Sequence, residues 1–198
     1  MRESLKREAE ARMPTEWGDF NMIAYKSETS DYTPHLAILH PDMDVNQSVM
    51  VRIHSECITG DLFHSQRCDC GKQLHIALDY VQKEKGLLIY LRQEGRGIGI
   101  VNKLKAYNKQ DEGLDTVEAN IALGLEIDYR HYEMALEILT DLGISKIRLL
   151  TNNPEKIEVF EKSKIELVER VALEIEATEN SKKYLQTKKE TLGHILKL

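Results

Sequence analysis

Apolar positions along this 198-residue chain recur with two different periods, and their order predicts alternating strands and helices. The stretch 48–56, "SVMVRIHSE", has the β-branched character of a strand and runs directly into a cysteine-containing segment. Beyond it Leu74, Ala77, Leu78 and Val81 fall at i, i+3, i+4 and i+7, the stripe of an amphipathic helix. That helix is expected to stop at Gly86, with a buried strand, "LLIYL", at 87–91. "QEGRGIG", 93–99, reads as a glycine-rich turn, followed by a helix from Ile98 to Tyr107. The helical stripe returns at Ala135, Ile138, Leu139 and Leu142, with Gly143 placed as the C-terminal cap. "KIRLL", 146–150, is the next strand, and "TNNPEKIEVF" turns from it into a helix with Asn153 as N-cap and Pro154 at the first helical position. A strand "ELVERVAL", 166–173, and a polar helix from about Thr187 complete a mixed α/β (α+β) pattern.

Composition narrows the class. The chain is 41% hydrophobic and 30% charged, ordinary for a globular protein, and contains no apolar run near the ~18 residues a membrane span needs. "MRESLKREAEARMP" has no apolar core of a signal peptide, so a cytoplasmic location is expected, with no membrane partner. A net charge of −6 argues against a nucleic-acid partner but leaves an anionic small molecule open, because local basic residues outweigh the sum.

Chemistry concentrates in "ECITGDLFHSQRCDCG", 56–71, which holds all three cysteines, Cys57, Cys68 and Cys70. An odd count without a secretion signal argues against a disulfide framework. Thiolates suit zinc, and three protein ligands leave a fourth position open for water, as in catalytic sites. Two alternatives stand beside that reading: a structural site closed by His54 or His64, or three small buried thiols. Arg67 is either an offset to the charge of three thiolates or a solvated surface cation. His54-x-Glu56 matches the His-x-Glu of zinc nucleobase deaminases, but those continue with Pro-Cys-x-x-Cys, which is missing here.

"RIHSECITGDLFHSQRCDCGKQL", "RQEGRGIG", "DTVEAN" and "RLLTNNPEK", in that order, resemble GTP cyclohydrolase II, with further likeness in "MPTEWGDF" and "YLQTKKETLGHIL". The resemblance runs from about Met13 to Leu196. It implies a single domain of that type over 1–198, a mixed sheet flanked by helices, with a short charged lead at 1–12 and a polar C-terminal segment at about 176–198. Many members carry a fused dihydroxybutanone phosphate synthase domain, for which these 198 residues leave no room, so a monofunctional form is expected. The implied reaction opens the imidazole ring of GTP, releases C8 as formate, and removes pyrophosphate. Its product is 2,5-diamino-6-(5-phosphoribosylamino)pyrimidin-4(3H)-one, formed in the first committed step of riboflavin synthesis.

Site residues follow from the same resemblance. Cys57, Cys68 and Cys70 would hold one zinc ion per subunit. Arg52, Ile53, His54, Ser55, Glu56, Gln73, Glu94, Gly95, Arg96, Thr116, Thr151 and Lys156 would contact GTP, and magnesium would accompany its phosphates. Of these, the guanidinium groups of Arg52 and Arg96 suit phosphate, and Thr151 and Lys156 flank a helix N-terminus that favours anions. Asp128 would accept a proton, and Arg130 would act either as nucleophile or as electrostatic stabiliser of phosphoryl transfer. Taken on their own, Asp128 and Arg130 look like a surface charge pair. Tyr107 is a further active-site candidate, able to orient water or donate a proton. The resemblance also implies a homodimer.

Overall fold

Among the described residues, seven strands form one mixed sheet in the order β1-β2-β3-β5-β4-β6-β7. The computed structural model describes residues 5–27 and 30–173, and beyond them only 175, 186, 193 and 195. The strands are β1 (Leu5–Thr15), β2 (Gly18–Ser27), β3 (Ser30–Leu39), β4 (Val49–Ser55), β5 (Leu87–Leu91), β6 (Lys146–Leu150) and β7 (Glu166–Val171). One end is an antiparallel meander, β1 on β2 on β3 on β5, and the other is parallel, β4 with β6 and β6 with β7.

The helices are α1 (Ile58–Asp61), α2 (Cys70–Lys83), α3 (Gly99–Asp111), α4 (Thr116–Ala122), α5 (Glu133–Asp141) and α6 (Glu155–Glu161), with a 3-10 turn at Glu94–Gly97. Alternation along the strands sends side chains to two cores. Val49, Val51, Ile53, Leu87, Ile89, Leu91, Ile147 and Leu149 pack with Ala135, Ile138 and Leu139 of α5 and Phe160 of α6. Met50, Leu88 and Leu150 face the other way, onto Ala77, Leu78 and Val81 of α2. A strand covered on both faces needs an unbroken apolar run, which is why 87–91 reads "LLIYL" instead of alternating.

The strands and helices expected from periodicity stand close to where the pattern put them. The helix begins one residue later than expected, with Pro154 (φ −61°, ψ −37°) at its N-cap, and the Asn153 side chain accepts the Glu155 N–H at 3.0 Å. Gly143 has φ +72°, as a helix-terminating glycine requires. The charged lead is different: from Leu5 onward it is an edge strand, exposed along its length and therefore without any apolar signature. β2 and β3 are further strands that the sequence reading did not name, although they bury Ile23, Tyr25, His35 and Ala37 at alternate positions. The helix expected from Thr187 lies outside the described residues.

The chain divides into two compact units, each assembled from separated segments. Unit 1 (1–54, 73–92, 132–173) contains the sheet and both cores, and unit 2 (55–72, 93–131, 174–198) contains the cysteines, the glycine-rich turn, α3 and α4.

Candidate active site

Unit 2 gathers the three cysteines from a strand end, a loop and a helix start. Their sulfurs lie within 4.8 Å of one another, and Cys57 Sγ is 3.7 Å from Cys68 Sγ. Zinc–sulfur bonds of about 2.3 Å in tetrahedral geometry place two sulfurs ~3.8 Å apart, so the spacing and the soft donor set both fit zinc. Among the described residues no histidine or carboxylate joins this group. α1 turns tightly after Cys57, whose carbonyl accepts from Gly60 and Asp61 N–H groups at 2.9 and 2.7 Å. Gly60 is buried against the thiols: a Cβ there would stand 2.9 Å from Cys68 Sγ and 3.2 Å from Cys57 Sγ.

Three thiols this close cannot all ionise without a cation. Hydrogen bonds from Cys68 and Cys70, aided by the Lys103 charge, hold the Cys57 thiol far below its ordinary range. The same Cys57 thiolate pushes Cys68 up to about 11 and raises Cys70 strongly. A divalent ion binding here would therefore displace protons from Cys68 and Cys70.

Lys103, on the buried side of α3, donates from Nζ to Cys57 Sγ at 3.1 Å and to Glu94 Oε1 at 2.7 Å. Glu94 Oε2 accepts the Ile58 N–H at 2.6 Å, tying the start of the 3-10 turn to the cysteine loop. Burial opposes the Lys103 charge, but the Cys57 thiolate and Glu94 outweigh it and raise its pKa. Arg67, considered above as the offsetting cation, instead pairs with Asp111 at 2.6 Å and sits 4.8 Å over the Tyr107 ring. Tyr107 is part-buried beside this cluster; burial raises its pKa, against a hydrogen bond with Thr59 that lowers it.

The glycine-rich turn passes through left-handed backbone at Gly95 (φ +62°), Arg96 (φ +60°) and Gly97 (φ +87°). For Arg96 that conformation is costly, and it leaves Nη1 and Nη2 buried without a hydrogen-bond acceptor. A guanidinium held in this way is suited to an incoming anion. At Gly97 a Cβ would come within 2.8 Å of Tyr129 Cβ, while the Tyr129 N–H binds the Arg96 carbonyl at 2.9 Å, so the turn packs directly on segment 128–131.

Asp128 and Arg130 are no surface pair. Their side chains are 16% and 13% exposed, and Arg130 Nε donates to both Asp128 oxygens at 2.9 and 3.0 Å. Burial opposes the Asp128 charge, but Arg130, with Arg96 beyond it, holds the carboxyl below the usual range. Gln93 braces this segment: its side chain accepts the His131 N–H at 3.2 Å and donates to Ser55 Oγ at 3.1 Å. Thr116 opens α4 behind an Asp115–Glu118 capping box.

The remaining candidates lie in unit 1, and most are committed to its interior. Arg52 is buried and donates to the Leu150 carbonyl at 2.9 Å and to Gln73 Oε1 at 2.6 Å. Lys156 is buried with Nζ on the Ile53 carbonyl at 2.8 Å, and Thr151 Oγ1 accepts the Asn153 N–H at 3.1 Å. His54 is buried and stacked on Tyr90 at 5.5 Å between ring centroids.

A family profile described as GTP cyclohydrolase II matches residues 6–172. The chain belongs to the GTP cyclohydrolase II family. It is 53% identical over 193 residues to a riboflavin biosynthesis protein RibBA of Bacillus cereus, covering 97% of this chain and 48% of that protein. A protein of the same name from Chlorobium phaeovibrioides is 51% identical, covering 97% and 47%. The chain thus spans about half the length of these curated relatives. Among solved structures, RibBX of A. baumannii, a two-domain 3,4-dihydroxy-2-butanone 4-phosphate synthase, aligns at a TM-score of 0.39 and 20% identity over 76% of this chain and 35% of that one, too weak a likeness to define a shared fold.

For this member of a hydrolase family, sequence reasoning missed Gly60, Gln93 and Lys103. Lys103 carried one usable signal, since Lys103, Ala106 and Tyr107 share a face of α3 and a lysine between such neighbours is a candidate for burial. Gly60 and Gln93 carried none, because their roles exist only through partners distant in the chain.

Proposed function

We propose that this chain is a zinc-dependent GTP cyclohydrolase II, which hydrolyses GTP to formate, pyrophosphate and 2,5-diamino-6-(5-phosphoribosylamino)pyrimidin-4(3H)-one for riboflavin synthesis. The observation carrying this reading is the three-sulfur cluster at zinc spacing in a chain of that family. One zinc ion per subunit at Cys57, Cys68 and Cys70 would supply Lewis acidity for attack at C8. Arg96, with its unsatisfied N–H groups, is the residue best suited to the phosphates. Asp128, ionised by its neighbours, serves as proton acceptor, and Tyr107 orients the attacking water. Arg130 stabilises charge on the α-phosphate, since a guanidinium paired to a carboxylate stays protonated and is a poor nucleophile. Arg52, Ile53, His54, Ser55, Glu56, Gln73, Glu94, Gly95, Thr116, Thr151 and Lys156 belong with Arg96 to the GTP set by resemblance. Magnesium on the phosphates, a homodimer and a cytoplasmic location belong to the same reading. Exposed Val101 and Leu104 on α3 are apolar surface of the kind a subunit interface uses, and none of the described helices is long and apolar enough to cross a membrane.

The test is incubation of zinc-loaded protein with GTP, with formate, pyrophosphate and pyrimidine product all quantified. Equal amounts of the three are expected. Formate without pyrophosphate would point to a ring-opening enzyme that keeps the phosphates, and intact GTP would reduce the cluster to a structural metal site.

A further inference from the structure

Lys103 is a buried cation placed on the sulfur that begins the cysteine cluster. It is 9% exposed, its ammonium is 3.1 Å from Cys57 Sγ, and it is held there by Glu94 at 2.7 Å. Glu94 is fixed in turn by the Ile58 N–H at 2.6 Å, on the residue that follows Cys57. The relay closes on itself: backbone after Cys57, carboxylate, ammonium, Cys57 sulfur. The Lys103–Glu94 pair alone is a weak explanation, because burying a salt bridge costs desolvation that its own attraction barely offsets. A third, anionic partner changes that balance. Three thiolates on one divalent ion leave a net negative site, and the lysine supplies the compensating charge where it is needed.

We propose that Lys103 is a positioning residue for the metal centre, a charge-assisted N–H donor to the Cys57 ligand that stabilises the three-thiolate site and withdraws electron density from its sulfur. This rests on the zinc reading above. Partners of metal ligands of this kind typically contribute about 10- to 100-fold to metal affinity. A sulfur engaged by an N–H donor is also harder to oxidise, so thiolate-to-metal charge transfer moves to higher energy.

The experiment uses the full-length chain as wild type, Lys103→Met and Lys103→Gln. Zinc affinity is measured by competition with a chromophoric chelator, and the sulfur-to-cobalt charge-transfer band is recorded after loading with Co²⁺. Circular dichroism confirms folding. Lys103→Met should bind zinc about 10- to 100-fold more weakly and shift the cobalt band to longer wavelength. Lys103→Gln, which keeps an N–H donor without the charge, should lose affinity but shift the band less, and it carries the test if the methionine variant does not fold. Wild-type affinity and an unshifted band in the variants would overturn the inference while leaving the zinc reading intact. Failure of the wild type to bind either ion would overturn the zinc reading, and this inference with it.

Discussion

Gly60→Ala adds one methyl group at the point where all three cysteines meet. The added Cβ would lie 2.9 Å from Cys68 Sγ, 3.0 Å from Cys70 Cβ and 3.2 Å from Cys57 Sγ. All three separations are shorter than the ~3.5–4.0 Å optimum for carbon contacts, so the cysteine loop must move by several tenths of an ångström. Gly60 does not have a positive φ, so the backbone itself tolerates alanine, and helix preference would even favour it by about 0.5–1 kcal/mol. Overpacking of a filled interior costs about 1–3 kcal/mol, which exceeds that gain. The net expectation is a loss of about 1–2 kcal/mol, or roughly 2–8 °C in Tm for a chain of this size. Metal binding should suffer more than the fold, because zinc–sulfur distances tolerate only about ±0.2 Å. Thermal melts with and without zinc, together with chelator competition, measure both effects. An alanine variant that binds zinc as tightly as wild type and melts no lower would refute the packing argument.

Cys68→Ser should remove bound zinc and abolish formate release, read by metal analysis and a formate assay on the same preparation. Arg130→Ala should lower pyrophosphate release by about 10²–10³-fold with circular dichroism unchanged, and unaltered turnover would return Arg130 to a structural role. Asp128 is depressed in the folded state, so its contribution to stability is complete above the ordinary aspartate pKa of about 3.9 and is lost as pH falls through the lower folded value. The Tm difference between wild type and Asp128→Asn should accordingly be constant from pH 6 to 8 and shrink toward pH 3, and a difference that grows in acid would contradict that sign. Gly97→Ala places a Cβ at φ +87° and 2.8 Å from Tyr129 Cβ, and its melting temperature should fall, with a strain cost of about 1–2 kcal/mol before the clash is counted.

Local sequence determined the elements whose burial is periodic. The stripe of α2, the doubly covered "LLIYL", the Asn153–Pro154 helix start and the clustering of three thiols within fourteen positions could all be read directly, because each depends on neighbours a few residues apart. The family was legible for the same reason, as its motifs are short and contiguous. What only the tertiary structure decided has partners far along the chain. β1 is exposed on both faces and exists through its pairing with β2, so no hydrophobic pattern could announce it. Arg52 was singled out for its guanidinium alone, and only the fold shows that the Leu150 carbonyl, 98 residues away, accepts one of its N–H groups. Asp128 and Arg130 looked like solvated surface charges, and the packing of the glycine-rich turn against segment 128–131 accompanies their burial. Arg67 was next in sequence to a cysteine, yet the cation on the sulfur is Lys103, 46 residues from Cys57. Periodicity records which side of an element is dry. Which charge meets which is settled by the fold, because burial strengthens only those pairs that long-range packing brings within hydrogen-bond reach.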